Sequence, residues 1–133
     1  MTTTFADNPA IDNAVLNALF DAAWPRHVPT DFARQLARSL VYIAAYDNAT
    51  LIGFVNVAWD GGVHTFLLDP TVHPAWRRRG IGRELVQRAA TSAATHGAVW
   101  LHVDFAPGLR GFYAACGFRP TDAGLMRLTP GGR

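Results

Sequence analysis

One stretch of this chain, Val72-His73-Pro74-Ala75-Trp76-Arg77-Arg78-Arg79-Gly80-Ile81-Gly82-Arg83, has the residue types and spacing to do chemistry. Glycines at 80 and 82 let the backbone pass close to a ligand, because no side chain blocks the approach. A helical period starts at the same place, with Ile81, Leu85, Ala89 and Ala93 on one stripe. The first turn of a helix carries unpaired N–H groups and the positive end of its dipole, so loop and helix together can cradle a phosphate or pyrophosphate. Taken alone, the two glycines also suit a plain turn. The side chains of Arg77, Arg78 and Arg79 also suit a solvated charge run, so the cradle rests on backbone N–H groups.

The elements that must hold this segment follow from periodicity. Residues 2–6 read as a short edge strand. Asn8-Pro9 reads as a helix start, and Ile11, Val15 and Leu19 give the apolar face of a helix ending near Trp24-Pro25. Thr30 is placed to cap a second helix carrying Phe32, Leu36 and Leu40 inward. Val41 to Tyr46 and Leu51 to Trp59 read as strands around an Asp47–Thr50 turn, and Asp60-Gly61-Gly62 is a hairpin signal. A third hairpin strand runs from Val63 to Val72. Asp69-Pro70 interrupts it, because proline removes a ladder donor, and a bulge or splay is expected there. The helix from Gly80 closes at His96-Gly97. Ala98 to Phe105 reads as a strand, Gly108 to Cys116 as a short helix, and Phe118 to Leu128 as one or two final strands. The expected fold is α/β of the α+β type, with a mixed, mostly antiparallel sheet flanked by helices in the order β-α-α-β-β-β-α-β-α-β(β).

Bulk properties narrow the function. The chain has 133 residues, half of them hydrophobic, and a formal net charge of +2, which suits one globular domain over residues 1–133. All the cationic residues are Arg. The positive excess fits an anionic ligand but is too small to argue for nucleic acid. Cys116 is the only cysteine, so an internal disulfide and a cysteine-based zinc cluster are excluded. No basic, apolar leader opens the chain and no apolar run reaches membrane-spanning length, so a soluble, cytoplasmic protein is expected.

The cradle segment resembles the Arg/Gln-x-x-Gly-x-Gly pattern of the GNAT (GCN5-related N-acetyltransferase) superfamily, as Arg77-x-x-Gly80-x-Gly82. Upstream Val72-x-Pro74 and downstream Phe112-Tyr113-Ala114-Ala115-Cys116-Gly117-Phe118 match two further patterns of that family in the right order. Residues 63–118 carry the resemblance, and the first 40 share it by element order. It implies an acetyl-CoA-dependent N-acetyltransferase that uses no metal and acts on a primary amine of a small molecule or peptide. Nucleic acid and membrane are not implied partners, and there is room for a homodimer. Arg77, Arg78, Arg79, Gly80, Ile81, Gly82 and Arg83 would hold the CoA pyrophosphate, and Pro70, Thr71 and Val72 would pair with the pantetheine arm. Tyr113 would serve the departing thiolate as general acid. Many members have Asn seven residues before this tyrosine, where this chain has Ala106.

For the base, Asp69, Asp104 and His64 are candidates, with relay through ordered water as a fourth route. A backbone N–H near Val72 is a candidate for the oxyanion. Read singly, His64, His102 and Asp104 are satisfied strand side chains, Cys116 is inert packing, and the four tryptophans are packing or pocket wall. Glu84, the only Glu, supports the start of its helix. The acceptor would meet the first two helices and their loop, Trp24 to Pro29, where Arg26 and His27 could hold a carboxylate. The alternatives are a non-catalytic acyl-CoA-binding or regulatory module of the same fold and, third, an Arg-rich nucleic-acid patch.

Overall fold

The computed structural model describes residues 2–130; Met1 and residues 131–133 of the expected domain lie outside the described part. The chain forms two compact units, one up to Val103 and one from Asp104 onward. The first holds a five-stranded sheet in the order β1-β2-β3-β4-β5, formed by Thr3–Asp7, Val41–Asp47, Thr50–Trp59, His64–Val72 and Trp100–His102. The first four strands pair antiparallel and β5 pairs parallel to β4, which is the mixed, mostly antiparallel sheet expected. Helix α1 is Asn13–Ala23, α2 is Ala33–Leu36 and α3 is Ile81–Thr95.

The two faces of the sheet are told apart by β3, whose side chains alternate. Ala44 and Phe54 are cross-strand partners and pack with Leu16, Leu19 and Phe20 of α1 and with Phe32, so this face belongs to α1. Their neighbours Ala45 and Gly53 face the other way. A Cβ on Gly53 would stand 3.0 Å from a Leu85 methyl, 3.2 Å from the Ala45 Cβ and 3.3 Å from an Ile81 methyl, so that face belongs to α3. Phe20 is the hub of the α1 side, edge-on to Trp24, His27, Phe32 and Phe54 with centroids 5.1–6.4 Å away. Such edge-to-face pairs add to the burial of the ring itself.

Several local expectations are corrected. Helix α1 starts at Asn13, not after Asn8, and its cap is Asp12, whose Oδ1 accepts the Ala14 N–H at 2.8 Å. Asn8 lies at φ 53° and its side chain accepts the Tyr42 N–H, so it ends β1 against β2. Thr30 caps nothing: α2 is a single turn without a side-chain cap bond from its N-cap residue, and Leu40 stands half-buried beyond it. The fifth strand is short, three residues where eight were expected.

The second unit contains a 3₁₀ turn, Pro107–Leu109, and helix α4, Arg110–Ala115. No strand forms over Phe118 to Leu128, and Leu125, Met126 and Leu128 are 83%, 83% and 86% exposed. Pro120 lacks a ladder donor and Gly124 has no side chain to pack, so this stretch is poorly suited to a strand.

Gly53 sits where sheet and α3 approach most closely. Gly53→Ala should destabilise the fold by about 1–3 kcal/mol through overpacking, and it should weaken CoA binding by displacing Ile81 at the start of α3. Denaturant unfolding and calorimetry would check the two effects; an unchanged unfolding midpoint would show that the contact yields freely.

Candidate active site

The site grows from the end of β4. Val55 of β3 is faced by two residues, Asp69 and Pro70, because the register shifts between Phe54↔Thr71 and Asn56↔Leu68. This is the bulge that Asp69-Pro70 suggested. Asp69 takes φ 52°, a left-handed conformation that only Gly adopts without cost. Two side chains brace the bulge. Trp24 Nε1 donates to Thr71 Oγ1 at 3.0 Å, and the Thr71 hydroxyl donates to the Asp69 carbonyl at 2.8 Å. Helix α1 is thereby tied to the strand break by a chain of hydrogen bonds that the sequence did not suggest.

Beyond the bulge, Val72 faces Gly53, while the next N–H along, that of His73, donates to Ile52 O at 2.8 Å. Val72 is therefore in a non-hydrogen-bonded pair, and its own N–H and C=O turn away from β3. On that side β5 has already ended, since the β4–β5 ladder covers only His64↔Trp100, Thr65↔Leu101 and Phe66↔His102. Pro70 has no N–H and the Thr71 N–H lies on the β3 side. Val72 thus supplies the one amide that Pro70, Thr71 and Val72 present to the open edge. Arg77 Nε donates to the Val72 carbonyl at 3.3 Å.

The chain then makes one 3₁₀ turn, Pro74–Trp76, capped by His73 Nδ1 accepting the Ala75 N–H. Arg78 has φ 64° and Gly80, the N-cap of α3, has φ 78°. Gly80 makes no side-chain cap bond, and the first intrahelical bond is Glu84 N–H to Gly80 C=O. Ile81, Gly82 and Arg83 thus open a four-turn helix whose first amides have no intrahelical acceptor. Nothing lies within 4 Å of a Cβ built on Gly80. This open, positively polarised helix end fits the pyrophosphate of CoA. The outward amide of Val72, and its carbonyl, which accepts from Arg77 and keeps a second lone pair, fit a pantetheine amide.

In the second unit Tyr113 is buried, stacked on Phe105 at 4.8 Å and edge-on to Phe112 and Phe118. Burial pushes its phenol up to about 12, helped by Cys116 and Asp104. Asp104 is exposed and Cys116 half-buried.

The acceptor loop differs from expectation at His27. Asn17 Nδ2 donates to the carbonyls of Asn13 and Thr30, and its Oδ1 accepts the Thr30 N–H. Oδ1 can then only accept from His27, so His27 Nε2 donates across 2.9 Å. The ring lies on Phe20 and Phe32, and its buried Nδ1 has no partner. His27 is turned into the aromatic cluster, while Arg26 is exposed. Trp59 and Trp100 are likewise exposed.

With this geometry in place, comparison with known proteins is decisive. The acetyltransferase (GNAT) family model matches residues 13–118. The chain belongs to that family. It is 29% identical over 98 residues to mycothiol acetyltransferase of Mycolicibacterium smegmatis and 32% identical over 78 residues to that of Nocardia farcinica. These matches cover 70% and 59% of this chain but only 33% and 25% of the relatives, so the chain spans about a third of their length or less. Among solved structures, a GNAT family protein of Streptococcus pneumoniae superposes with TM-score 0.80 at 22% identity, covering 98% of this chain and all of the other. The aminoglycoside acetyltransferase AAC(6')-Iy, in complex with a bisubstrate analogue of CoA, superposes with TM-score 0.77 at 17% identity, over 97% and 99% of the two chains. These likenesses establish the GNAT fold: an α/β architecture with a five-stranded mixed sheet flanked by helices.

Gly82→Val would place a branched side chain at the second residue of α3, where a phosphate would approach. CoA affinity, measured by calorimetry, should fall below detection while circular dichroism stays that of the parent. Wild-type affinity in the folded variant would remove the cradle from this helix end.

Proposed function

We propose that the protein transfers an acetyl group from acetyl-CoA directly to a primary amine of a small molecule. The observation that carries this reading is the uncapped N-terminus of α3, led in by left-handed Gly80, beside a strand edge whose amide and carbonyl at Val72 lack a strand partner. Membership of an acetyltransferase family supports it. So do relatives named for acetylating mycothiol and aminoglycosides, both small molecules. Acetyl-CoA supplies the acyl group as an activated thioester, and no metal is invoked. The setting is a cytoplasmic one, and the enzyme acts as a monomer or homodimer.

The residues divide the work as follows. Amides of Arg78 to Arg83 bind the pyrophosphate, with the Arg77, Arg78 and Arg79 side chains adding charge. The edge Pro70, Thr71, Val72 binds the pantetheine arm. The Val72 N–H is the donor available to a developing oxyanion on that edge. Tyr113 donates a hydrogen bond to the departing sulfur. Its phenol at about 12 is a weaker acid than a thiol at about 8.5, so complete proton transfer to the thiolate is uphill. The role supported is stabilisation of the thiolate by a hydrogen bond, with the final proton coming from solvent. Asp69, braced in the bulge, and Asp104 remain proposed proton acceptors for the amine.

A non-catalytic CoA-binding module is favoured by one feature, the absence of an N–H at Pro70 on the edge that would meet the thioester. Thiol release from acetyl-CoA over a panel of small amines separates the readings, since a module binds CoA and releases none.

Three variants test the assignments. Arg78→Ala and Arg79→Ala should each weaken CoA binding by about 1–3 kcal/mol, the range of one charge-assisted hydrogen bond; loss of all binding in either would move the work from amides to side chains. Tyr113→Phe should leave CoA affinity nearly unchanged and lower turnover about 10²-fold. The same substitution should flatten the alkaline loss of stability. A phenol raised in the folded state stabilises the fold fully below its unfolded value near 10, and that contribution is lost as pH rises through the folded value. Wild-type turnover in the Phe variant would make Tyr113 a packing residue.

A further inference from the structure

The parallel ladder ends at a pair of imidazoles. His102 is the last residue of β5, and its Nε2 lies 2.8 Å from Nδ1 of His64 on β4. The two ring centroids are 5.0 Å apart, and His102 stacks on Phe66 at 4.7 Å with an interplanar angle of 21°. Phe66 is the cross-strand partner of Ala58, which shares the parity of Phe54 along β3, so Phe66 and both histidines stand on the α1 side of the sheet. The buried neighbours Thr65 and Leu67 occupy the α3 side. The core cluster beneath α1 takes in neither Phe66 nor Leu68. These two residues remain 38% and 39% exposed and Trp100 53%, so the histidines border an open apolar shelf on the face opposite α3. An acceptor can reach the fork between β4 and β5 from this side without crossing the helix that would hold the cofactor.

We propose that His102, with His64 behind it, is the base that takes the proton of the attacking amine. The proposal rests on the acetyl-transfer reading and supplies the group which that reading leaves between two aspartates. In the tautomer where His102 donates its Nε2–H to His64 Nδ1, the Nδ1 of His102 keeps a lone pair. Accepting a proton there makes the bridging hydrogen bond charge-assisted, and the bridging proton can cross to His64, spreading the charge over two rings. A second proton would set two cations side by side, which their mutual repulsion opposes. The charged neighbour felt at His64 is Asp60 of the β3–β4 turn. The Gly62 N–H holds the Asp60 carboxylate below its usual range, with a smaller contribution from His64.

The step balances as follows. The ammonium form of the substrate first loses one proton to solvent. The amine lone pair then forms the new C–N bond at the thioester carbon, the C–S bond breaks, and sulfur leaves with the electron pair. The surplus N–H proton passes to His102 and from the pair to solvent.

The test compares wild type with His102→Gln, His64→Gln and His102→Ala. His102→Gln should lower kcat/KM for the amine about 10²-fold and remove the acid limb of its pH profile, while CoA affinity by calorimetry stays at the wild-type value. Added imidazole should restore part of the rate in His102→Ala. In the protein without CoA, NMR should show two imidazoles titrating in separated steps, and His64→Gln should move the His102 step. A His102→Gln enzyme with wild-type rate and pH profile, or a His102 titration indifferent to His64→Gln, overturns the proposal. A wild-type protein that binds CoA but acetylates no amine overturns the transfer reading and the base with it.

Discussion

The structure turns on the length of one ladder. Strand β4 runs nine residues, yet β5 pairs with it over only the first three. Beyond that point the side of β4 turned away from β3 has no strand to bond, and outward groups such as the Val72 amide need another partner. Parallel pairing makes this possible, because β5 must be reached by a crossover through α3 rather than by a tight turn. The same crossover starts α3 just past the end of β4, so the uncapped helix end and the unpaired strand edge arise from one topological fact. A bound ligand that offers phosphates to the first and amides to the second completes both sets of hydrogen bonds.

The bulge at Asp69-Pro70 tunes that edge. Proline removes one donor, the left-handed Asp69 turns the strand, and Val72 is left as the amide facing outward. A conformation of this kind persists only where the surroundings over-determine it. Here Thr71 and Trp24 do so, joining the strand to the last residues of α1. The end of α1 and the strand edge at the bulge are therefore braced against each other. The Asn17 bonds to Thr30 and His27 stiffen the loop that follows.

Features set by local chemistry were legible in the sequence. Gly80 and Gly82 marked a helix start with open backbone, Asp60-Gly61-Gly62 had to turn, and Pro70 had to interrupt a ladder. Features set by distant partners were not. Asn8 looks like a cap because Pro9 follows it, but pairing with Tyr42 claims its side chain and leaves the cap to Asp12. The apolar residues of 118–128 look like a strand, yet alternation alone supplies no ladder. His64 and His102 are 38 positions apart, and they meet only because the crossover sets β5 in a particular register. The candidate cradle could therefore be read from residues 72–83, whereas the imidazole pair required the sheet.

The period of a strand finally explains how one short segment could serve two substrates under the proposed function. Side chains of β4 alternate between faces, so Thr65 and Leu67 anchor the sheet under α3 while His64, Phe66 and Leu68 emerge beneath the acceptor shelf. The backbone offers a third direction, the strand edge, which the proposed function gives to the cofactor. Three roles then share nine residues without competing for space. A one-residue slip of β4 would exchange the two faces, burying the imidazole and exposing Leu67. The antiparallel ladder to β3 opposes such a slip, as does Thr65 Oγ1 donating to the Trp100 carbonyl at 2.8 Å. That single buried hydroxyl fixes β5 to β4 next to the two histidines, so the register that packs the core also sets the distance between the imidazoles.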